Sequence, residues 1–277
     1  MSEAVVSRPE NQEAVLVEQR GPVLLMTLNR PRVRNAIDAR VSALLGAALA
    51  RLDQDDDLRV GVITGAPPAF CAGADLAEVV AGRSLLDPEH EERGLAGIVR
   101  RPPRKPVIAA VNGAALGGGT EIVLACDLAV MAEDAVLGLP EPRRGLIAGA
   151  GGLLRLPRQL PPKIAAELAL TGDTMNAADA YRLGLVNQVV PGYSVVQAAM
   201  DLAHRIVVSA PESVRVSKEV LDRSSGADPD PSLWDLQDTF VTHILAHSDA
   251  AEGMAAFTEK RRPRWGSGRA PRVEENS

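Results

Sequence analysis

Three times in its first two thirds, the chain passes from a short apolar run through a glycine-bearing loop into a longer apolar or amphipathic stretch. These units lie at residues 60–80, 107–125 and 128–157. A short apolar run that stops at glycine or proline is typical of a buried strand, and apolar residues three or four positions apart indicate a helix. Such alternation predicts an α/β core in which the strands run parallel.

Further elements extend this pattern on both sides. Residues 15–28 predict two strands joined by a turn at Gly21-Pro22, and residues 38–53 predict an amphipathic helix. Residues 78–100 are polar and are also predicted to be helical. The chain beyond Pro162 is predicted to be mostly helical, with helices at 162–170, 176–183, 194–208, 211–222, 231–246 and 249–260.

Composition and charge disfavour several functional classes. The chain has 277 residues and carries 36 acidic against 30 basic side chains, a formal net charge of −6. General nucleic-acid and anionic-membrane binders are normally basic, so neither partner is expected. No apolar run reaches the roughly 18 residues of a membrane helix, and the N-terminus lacks the pattern of a signal peptide. We therefore expect a cytoplasmic protein.

The cysteines and histidines give no clear metal-binding pattern. The chain has two cysteines, Cys71 and Cys126, which lie far apart in sequence and suit reduced thiols better than a disulfide framework. His243 and His247 have the spacing of a helical metal pair, but no third ligand is evident. No metal site is predicted.

Two glycine-bearing loops follow two of the predicted strands, at residues 69–76 and 112–121. Glycine leaves backbone N–H groups uncovered, and free N–H groups at a helix N-terminus attract negative charge. Two such loops on neighbouring strands could direct two N–H groups at one carbonyl oxygen and form an oxyanion hole. Small residues equally allow a helix to pack closely on a sheet, and both interpretations stay open on these residues alone.

Two glutamates stand out beside these loops. Glu121 follows Gly117-Gly118-Gly119 in the first turn of a predicted helix, and Glu141 lies between Pro140 and Pro142. Two carboxyl groups near an oxyanion hole could act on one water as general base and general acid. Taken singly, each has a simpler interpretation, as a helix-start charge or as a solvated loop residue.

Taken together, these segments resemble the enoyl-CoA hydratase/isomerase family, also called the crotonase family, over residues 12–265. The resemblance rests on LNRPRVRNA at 28–36, AFCAGADL at 69–76, KPVIAAVNGAALGGGTEIVLACDLAV at 105–130, LPEPRRGLIAGAGGLLRLPR at 139–158, TGDTMNAADAYRLGLVNQVVP at 171–191 and FTEKRRP at 257–263.

The resemblance implies a fold and an assembly. It implies a crotonase-like spiral of ββα turns with the CoA and acyl site over residues 12–192, followed by a helical C-terminal trimerisation region over residues 193–265. Residues 1–11 and 266–277 are expected to be flexible tails. Family members of this kind assemble as homotrimers, usually paired into dimers of trimers.

The resemblance also implies roles for individual residues. Ala74 and Gly118 match the two oxyanion-hole donors. Glu121 matches the carboxylate that activates water, and Glu141 matches the group that delivers a proton to the α-carbon. The residues implied to contact substrate or CoA are Ala72, Ala74, Asp75, Leu76, Ala77, Gly118, Gly149 and Lys260, the last often on a neighbouring subunit.

The retained pair of glutamates favours a lyase that adds water reversibly to a 2-enoyl-CoA thioester through a stabilised enolate. The alternatives are an enoyl-CoA isomerase and a carnitinyl-CoA dehydratase-like enzyme, which residues 151–172 resemble. A non-catalytic CoA- or RNA-binding protein on the same scaffold is a rival from another class. The acyl-CoA is the expected small-molecule partner, and no cofactor is required because the oxyanion hole supplies the electrophile.

Overall fold

The computed structural model describes residues 13–224 and 231–266. Its strands are β1 (Val15–Arg20), β2 (Val23–Leu28), β3 (Val60–Gly65), β4 (Ala69–Cys71), β5 (Val107–Val111), β6 (Ala114–Leu116), β7 (Leu128–Ala132), β8 (Val136–Gly138), β9 (Thr174–Asn176) and β10 (Gln188–Val190). Its helices are α1 (Ala39–Gln54), α2 (Leu76–Val80), α3 (Gly118–Ala125), α4 (Gly152–Gln159), α5 (Pro162–Thr171), α6 (Ala177–Arg182), α7 (Val195–Val207), α8 (Pro211–Ser224), α9 (Pro231–Ala246) and α10 (Ser248–Thr258).

The larger sheet has six strands in the order β1-β2-β3-β5-β7-β10. The hairpin of β1 and β2 is antiparallel, with Val15 opposite Leu28, and every other pairing in this sheet is parallel. The prediction of a parallel α/β core is therefore confirmed. Strands β3 and β5 are buried along their whole length, as expected for parallel strands covered on both faces.

The smaller sheet has four strands in the order β4-β6-β8-β9, and the sequence patterns did not predict it. Strands β4, β6 and β8 are parallel to one another and are only three residues long each. The carboxyl ends of parallel strands meet at one edge of a sheet. The segments that follow these three strands therefore come together, and they carry Gly73, Gly118 and Glu141.

Helices α1 and α7 cover the core. Asp38 begins α1 by accepting a hydrogen bond from the Val41 N–H (2.8 Å), and Leu45 and Leu52 on the inner face of α1 are fully buried. Helix α7 packs against β3, β5 and β7 of the larger sheet. The site edge of the smaller sheet thus rests on a close-packed apolar support.

The prediction of a helix over residues 78–100 is wrong. Helix α2 ends at Val80, and the segment continues through 3₁₀ turns at Glu91–Arg93 and Leu95–Gly97. Gly82, Gly94 and Gly97 adopt positive φ angles of 67°, 74° and 66°, which an α-helix does not contain. The glycines break the helix that the polar composition favoured.

The helical C-terminal region is present as predicted. Helix α8 contacts α9, α9 contacts α10, and the Trp265 indole N–H donates to the Val208 carbonyl (2.8 Å). The tails predicted at 1–11 and 266–277 lie outside the described residues, apart from Gly266. None of the helices described here is both long and apolar enough to cross a membrane.

Candidate active site

Two backbone amides meet where β4 and β6 end. A Cβ atom placed on Gly118 would lie 3.4 Å from the Ala74 amide nitrogen, so the two N–H groups are close neighbours. Gly73, with a φ of 94°, leaves no room for a side chain, because a Cβ there would lie 2.7 Å from the Leu116 carbonyl oxygen. Neither the Ala74 nor the Gly118 N–H donates a hydrogen bond within the described part of the chain.

The loop around Ala74 is held from both sides. The Ile37 N–H donates to the Gly73 carbonyl (2.8 Å), and the Asp75 N–H donates to the Ile37 carbonyl (2.9 Å). Gly118 begins α3, so the positive end of the helix dipole adds to its N–H. Two fixed N–H groups without internal partners are what stabilisation of an oxyanion requires.

Glu121 lies in the first turn of α3 and is buried, with 2% of its surface exposed. Its Oε1 accepts hydrogen bonds from the Ala150 N–H (2.7 Å) and the Gly152 N–H (2.9 Å). Burial raises the pKa of Glu121, and these two donors offset part of that rise. Repulsion from Glu141 raises the pKa further. The carboxyl is held in one orientation at the N-terminus of α4.

Glu141 opens a 3₁₀ turn that runs to Arg144. A Cβ atom on Gly117 would lie 2.8 Å from Glu141 Oε1, so this carboxyl packs against the Gly117-Gly118-Gly119 loop. Its Oε2 is buried and has no hydrogen-bond partner among the described residues. Burial raises the pKa of Glu141 as well. A half-buried carboxyl with one buried, unpartnered oxygen is suited to holding a proton.

Two polar residues that sequence reasoning missed support this arrangement. Thr120 Oγ1 lies 2.7 Å from the Ala115 carbonyl and 2.8 Å from the Gly138 carbonyl, and it accepts the Gly138 N–H at 2.9 Å. It thereby joins α3 to β8, which leads to Glu141. Asn35 Nδ2 donates to the carbonyls of Ala69 (2.7 Å) and Ala66 (2.8 Å) beneath the first loop.

The other residues implied to contact CoA lie around the first loop and beyond it. Ala72, Leu76 and Ala77 are exposed, whereas Asp75 is buried. Asp75 forms an ion pair with Arg30 (3.0 Å) and caps α2 by accepting the Ala77 N–H (3.1 Å). The Asp75 side chain is therefore engaged within the protein, which leaves its backbone for ligand contact.

Gly149 and Lys260 are placed differently. Gly149 is exposed beside Ala150, in the segment that holds Glu121. Lys260 is exposed beyond the end of α10, where its N–H donates to the Phe257 carbonyl (3.3 Å). Among the described residues, no hydrogen bond or ion pair joins Lys260 to the site of its own chain.

The side chains of Cys71, His243 and His247 contact groups other than the two glutamates of the site. Cys71 is buried, its Sγ accepts the Gly73 N–H (3.3 Å), and burial raises its pKa to about 12. The thiolate needed for nucleophilic attack is therefore scarce at neutral pH. His243 contacts Glu212 (2.9 Å), and His247 accepts the Asp249 N–H (3.2 Å) at the start of α10. The described residues contain no group of three or more potential metal ligands.

The site thus combines two unpartnered amides with a buried carboxyl, Glu121, and a half-buried one, Glu141, and the pKa of each carboxyl is raised. The amides can stabilise negative charge on a carbonyl oxygen, which makes the neighbouring carbon atoms reactive toward water and protons. The carboxyls can take and give the protons that such a reaction moves.

A sequence model of the family described as Enoyl-CoA hydratase/isomerase matches residues 18–268. Among curated proteins, the carnitinyl-CoA dehydratase of Salmonella typhi is 40% identical over 258 residues, which cover 91% of this chain and 98% of that protein. The corresponding protein of Salmonella typhimurium is equally similar, at 40% identity over 258 residues.

Solved structures of the same kind resemble this chain in three dimensions. An enoyl-CoA hydratase from Mycobacterium marinum is 45% identical with a TM-score of 0.87, over 92% of this chain and 99% of that one. A carnitinyl-CoA hydratase from Mycobacterium avium is 49% identical with a TM-score of 0.75, over 92% and 99% of the two chains. These similarities confirm the crotonase-like α/β fold predicted from the sequence.

Proposed function

The chain belongs to the enoyl-CoA hydratase/isomerase family, and we propose that it is a carbon–oxygen lyase that adds water reversibly to a 2-enoyl-CoA thioester. The observation that carries this proposal is the placement of two carboxyls, buried Glu121 and half-buried Glu141, beside the unpartnered amides of Ala74 and Gly118. Both the hydratases and the dehydratases among its relatives catalyse this type of reaction in one direction or the other.

Each group has a defined part in the proposed reaction. Glu121 takes a proton from water, and the water oxygen forms a bond to the β-carbon. The π electrons of the double bond move toward the thioester, so negative charge collects on the carbonyl oxygen, where the N–H groups of Ala74 and Gly118 stabilise it. When the enolate collapses, Glu141 delivers a proton to the α-carbon. Elimination of water follows the same steps in reverse.

A second candidate is specific dehydration of carnitinyl-CoA. It is favoured by the curated relatives at 40% identity and by the Mycobacterium avium structure at 49% identity. The same two carboxyls and two amides serve this reaction, because it removes a hydroxyl from the β-carbon of a CoA thioester. The two candidates differ in the acyl group and not in the chemistry.

A substrate panel tests both candidates. We would follow the absorbance of the conjugated enoyl thioester with crotonyl-CoA, with longer 2-enoyl-CoAs, and with 4-trimethylammonio-2-butenoyl-CoA, which is carnitinyl-CoA less water. Hydration of the plain thioesters supports the broad hydratase, and turnover of the charged one alone supports the dehydratase. Conversion of a 3-enoyl-CoA without hydration would indicate an isomerase, and no turnover with tight RNA binding would favour the non-catalytic rival.

We further propose that the protein assembles as a homotrimer or a dimer of trimers. Apolar side chains are exposed on its C-terminal helices, among them Leu221 (68%), Leu245 (66%) and Phe257 (87%). Large apolar side chains exposed on a helix are candidates for a surface that another subunit covers. Leu202, another apolar residue of these helices, is instead buried in the core of its own chain.

Sedimentation velocity should therefore show a species of at least three chains at micromolar concentration. The physical reason is that burial of these apolar side chains stabilises association by roughly 25 cal/mol for each Å² removed from water. A stable monomer near 29.2 kDa would contradict the proposal.

Lys260→Ala should raise KM for acyl-CoA and leave kcat nearly unchanged. If Lys260 reaches a CoA phosphate on a neighbouring subunit, ground state and transition state lose the same contact. The increase in KM should shrink as salt is added, because salt screens the attraction between exposed Lys260 and the phosphate. Lys163→Ala, which removes an exposed lysine from α5, is the matched control with an unchanged KM. A large fall in kcat at constant KM would show another role for Lys260.

A further inference from the structure

We propose that Arg155 is a positioning residue for Glu121, which it serves by joining the two segments that border the site and by placing a positive charge near the carboxylate. The inference rests on the proposed function, in which Glu121 is the base. Arg155 lies on α4, three residues beyond Gly152, and its side chain is half-buried.

The guanidinium contacts backbone on both sides. Its Nη2 donates a hydrogen bond of 2.6 Å to the Val99 carbonyl. Its Nη1 lies against Gly151, where an added Cβ would be only 2.3 Å away. The φ of 99° at Gly151 belongs to the left-handed region, which favours glycine at this contact.

The two segments that Arg155 joins carry different parts of the site. Gly151 lies between Ala150 and Gly152, whose N–H groups hold Glu121 Oε1. Val99 follows the turn Leu95–Gly97, and the Leu95 side chain covers Gly118: Leu95 Cδ2 would be 2.6 Å from a Cβ on that glycine. The Arg155 side chain thus sets the spacing between the loop whose N–H groups hold Glu121 and the turn whose Leu95 side chain covers Gly118.

The charge of Arg155 acts on Glu121 as well. Arg155 lowers the pKa of Glu121, against the rise caused by burial and by Glu141. The pKa of Arg155 itself is lowered by burial, raised by the neighbouring carboxylates of Glu121 and Asp222, and lowered by Arg158. A positive charge favours the ionised carboxylate, which is the form that accepts a proton from water.

Three substitutions separate the charge from the contact. Arg155→Met removes both, Arg155→Lys keeps the charge, and Arg155→Gln keeps a polar N–H donor on a shorter side chain without the charge. In the Met and Gln variants we expect the acid limb of the kcat/KM profile to move up by about half a pH unit or more, because the carboxylate loses a stabilising charge. The Lys variant should keep the wild-type limb. The plateau of kcat should fall most for Met.

Arg158→Met is the matched control, because it removes an exposed arginine from the same helix, and its profile should stay at the wild-type position. A second readout does not depend on turnover. It is a pH titration of the infrared absorption of the Glu121 carboxylate, which is isolated by subtracting from each protein's spectrum the spectrum of the same protein with Glu121→Gln. It should show a higher pKa in the Met and Gln variants than in wild type and the Lys variant.

The outcomes that would overturn the proposal are distinct. If Glu121 has the same pKa in the Lys and Gln variants, the charge of Arg155 has no effect on it. If Arg158→Met shifts the pKa of Glu121 as much as Arg155→Met does, the effect belongs to any positive charge on α4 and Arg155 does not position Glu121. If Arg155→Met fails to fold, the Lys and Gln pair still decides the question. If wild type hydrates no thioester, the proposed function fails, while the carboxylate titration still tests Arg155.

Discussion

Glu121→Gln and Glu141→Gln are each expected to lower kcat for hydration by about 10²- to 10⁴-fold, the usual contribution of a general acid or base. Glutamine has the size of glutamate but neither accepts nor releases the required proton at neutral pH. Binding of CoA thioesters should survive, because the amides of Ala74 and Gly118 are unchanged. Steady-state kinetics on the best substrate of the panel, with binding measured by calorimetry, provide the test.

The fold should survive the Glu121 substitution. Its amide Oε1 can still accept the N–H groups of Ala150 and Gly152 that the carboxylate accepts now. The raised pKa of Glu121 contributes stability that is present below the unfolded pKa and lost as pH rises through the folded pKa. Above the folded pKa the ionised group is therefore a cost to folding, and Tm of Glu121→Gln measured there should equal or exceed that of wild type. Exposed Glu133→Gln is the matched control, with unchanged kcat and Tm.

The double variant adds a further test. If both carboxyls act on one water and one enolate, Glu121→Gln/Glu141→Gln should be little worse than the worse single variant, because residues that work as a unit are not additive. An isomerase that uses one base would tolerate one of the changes. Near-wild-type hydration by either single variant would overturn the two-carboxylate mechanism.

The main sheet was predictable because its signal is local. The runs that became β3, β5 and β7 are apolar except for Thr64 and the glycines of β3, and such runs indicate strands buried on both faces. The smaller sheet was not predictable in the same way. Strands β4, β6 and β8 are three residues long, and their pairing depends on contacts between segments distant in sequence.

For residues 78–100, in contrast, the sequence predicted a helix that the structure does not contain. The charged residues of this segment favour a helix, but Gly82, Gly94 and Gly97 take conformations that end one. Ala96 also has a positive φ, 56°, although it is not glycine, and it lies where the chain turns to place Leu95 over Gly118. Tertiary packing overrides local preference here.

The residues of the candidate site divide along similar lines. Ala74, Gly118, Glu121 and Glu141 stand in family motifs, and the structure brings them together. Thr120, Asn35 and Arg155 were not singled out, because their partners are backbone carbonyls of other segments. Such contacts leave no periodic signal in a single sequence. What is missed in this way is the support of a site rather than its reactive groups.

Gly118→Ala keeps the backbone N–H but adds a methyl group beside the Ala74 N–H, and it is expected to lower kcat by about 10²- to 10³-fold, as much as the loss of one oxyanion-hole donor. The new methyl group would lie 3.4 Å from the Ala74 nitrogen and so would occupy the space that the thioester oxygen needs. It would also approach Leu95 Cδ2 to 2.6 Å, a contact that forces the neighbouring segment to move. Kinetics and Tm together measure the two effects.

The double variant Gly118→Ala/Leu95→Ala separates those effects. Removing the core side chain of Leu95 lowers Tm by itself but relieves the steric contact, so Gly118→Ala should lower Tm less in the Leu95→Ala background than in wild type. The methyl group remains beside the Ala74 N–H, so kcat should stay low. Gly192→Ala is the matched control for adding a methyl group, since a Cβ there has its nearest neighbour at 3.6 Å and should change neither quantity. Recovery of kcat in the double variant would mean that Gly118 matters for packing alone, which is the simpler interpretation that the glycine loops left open.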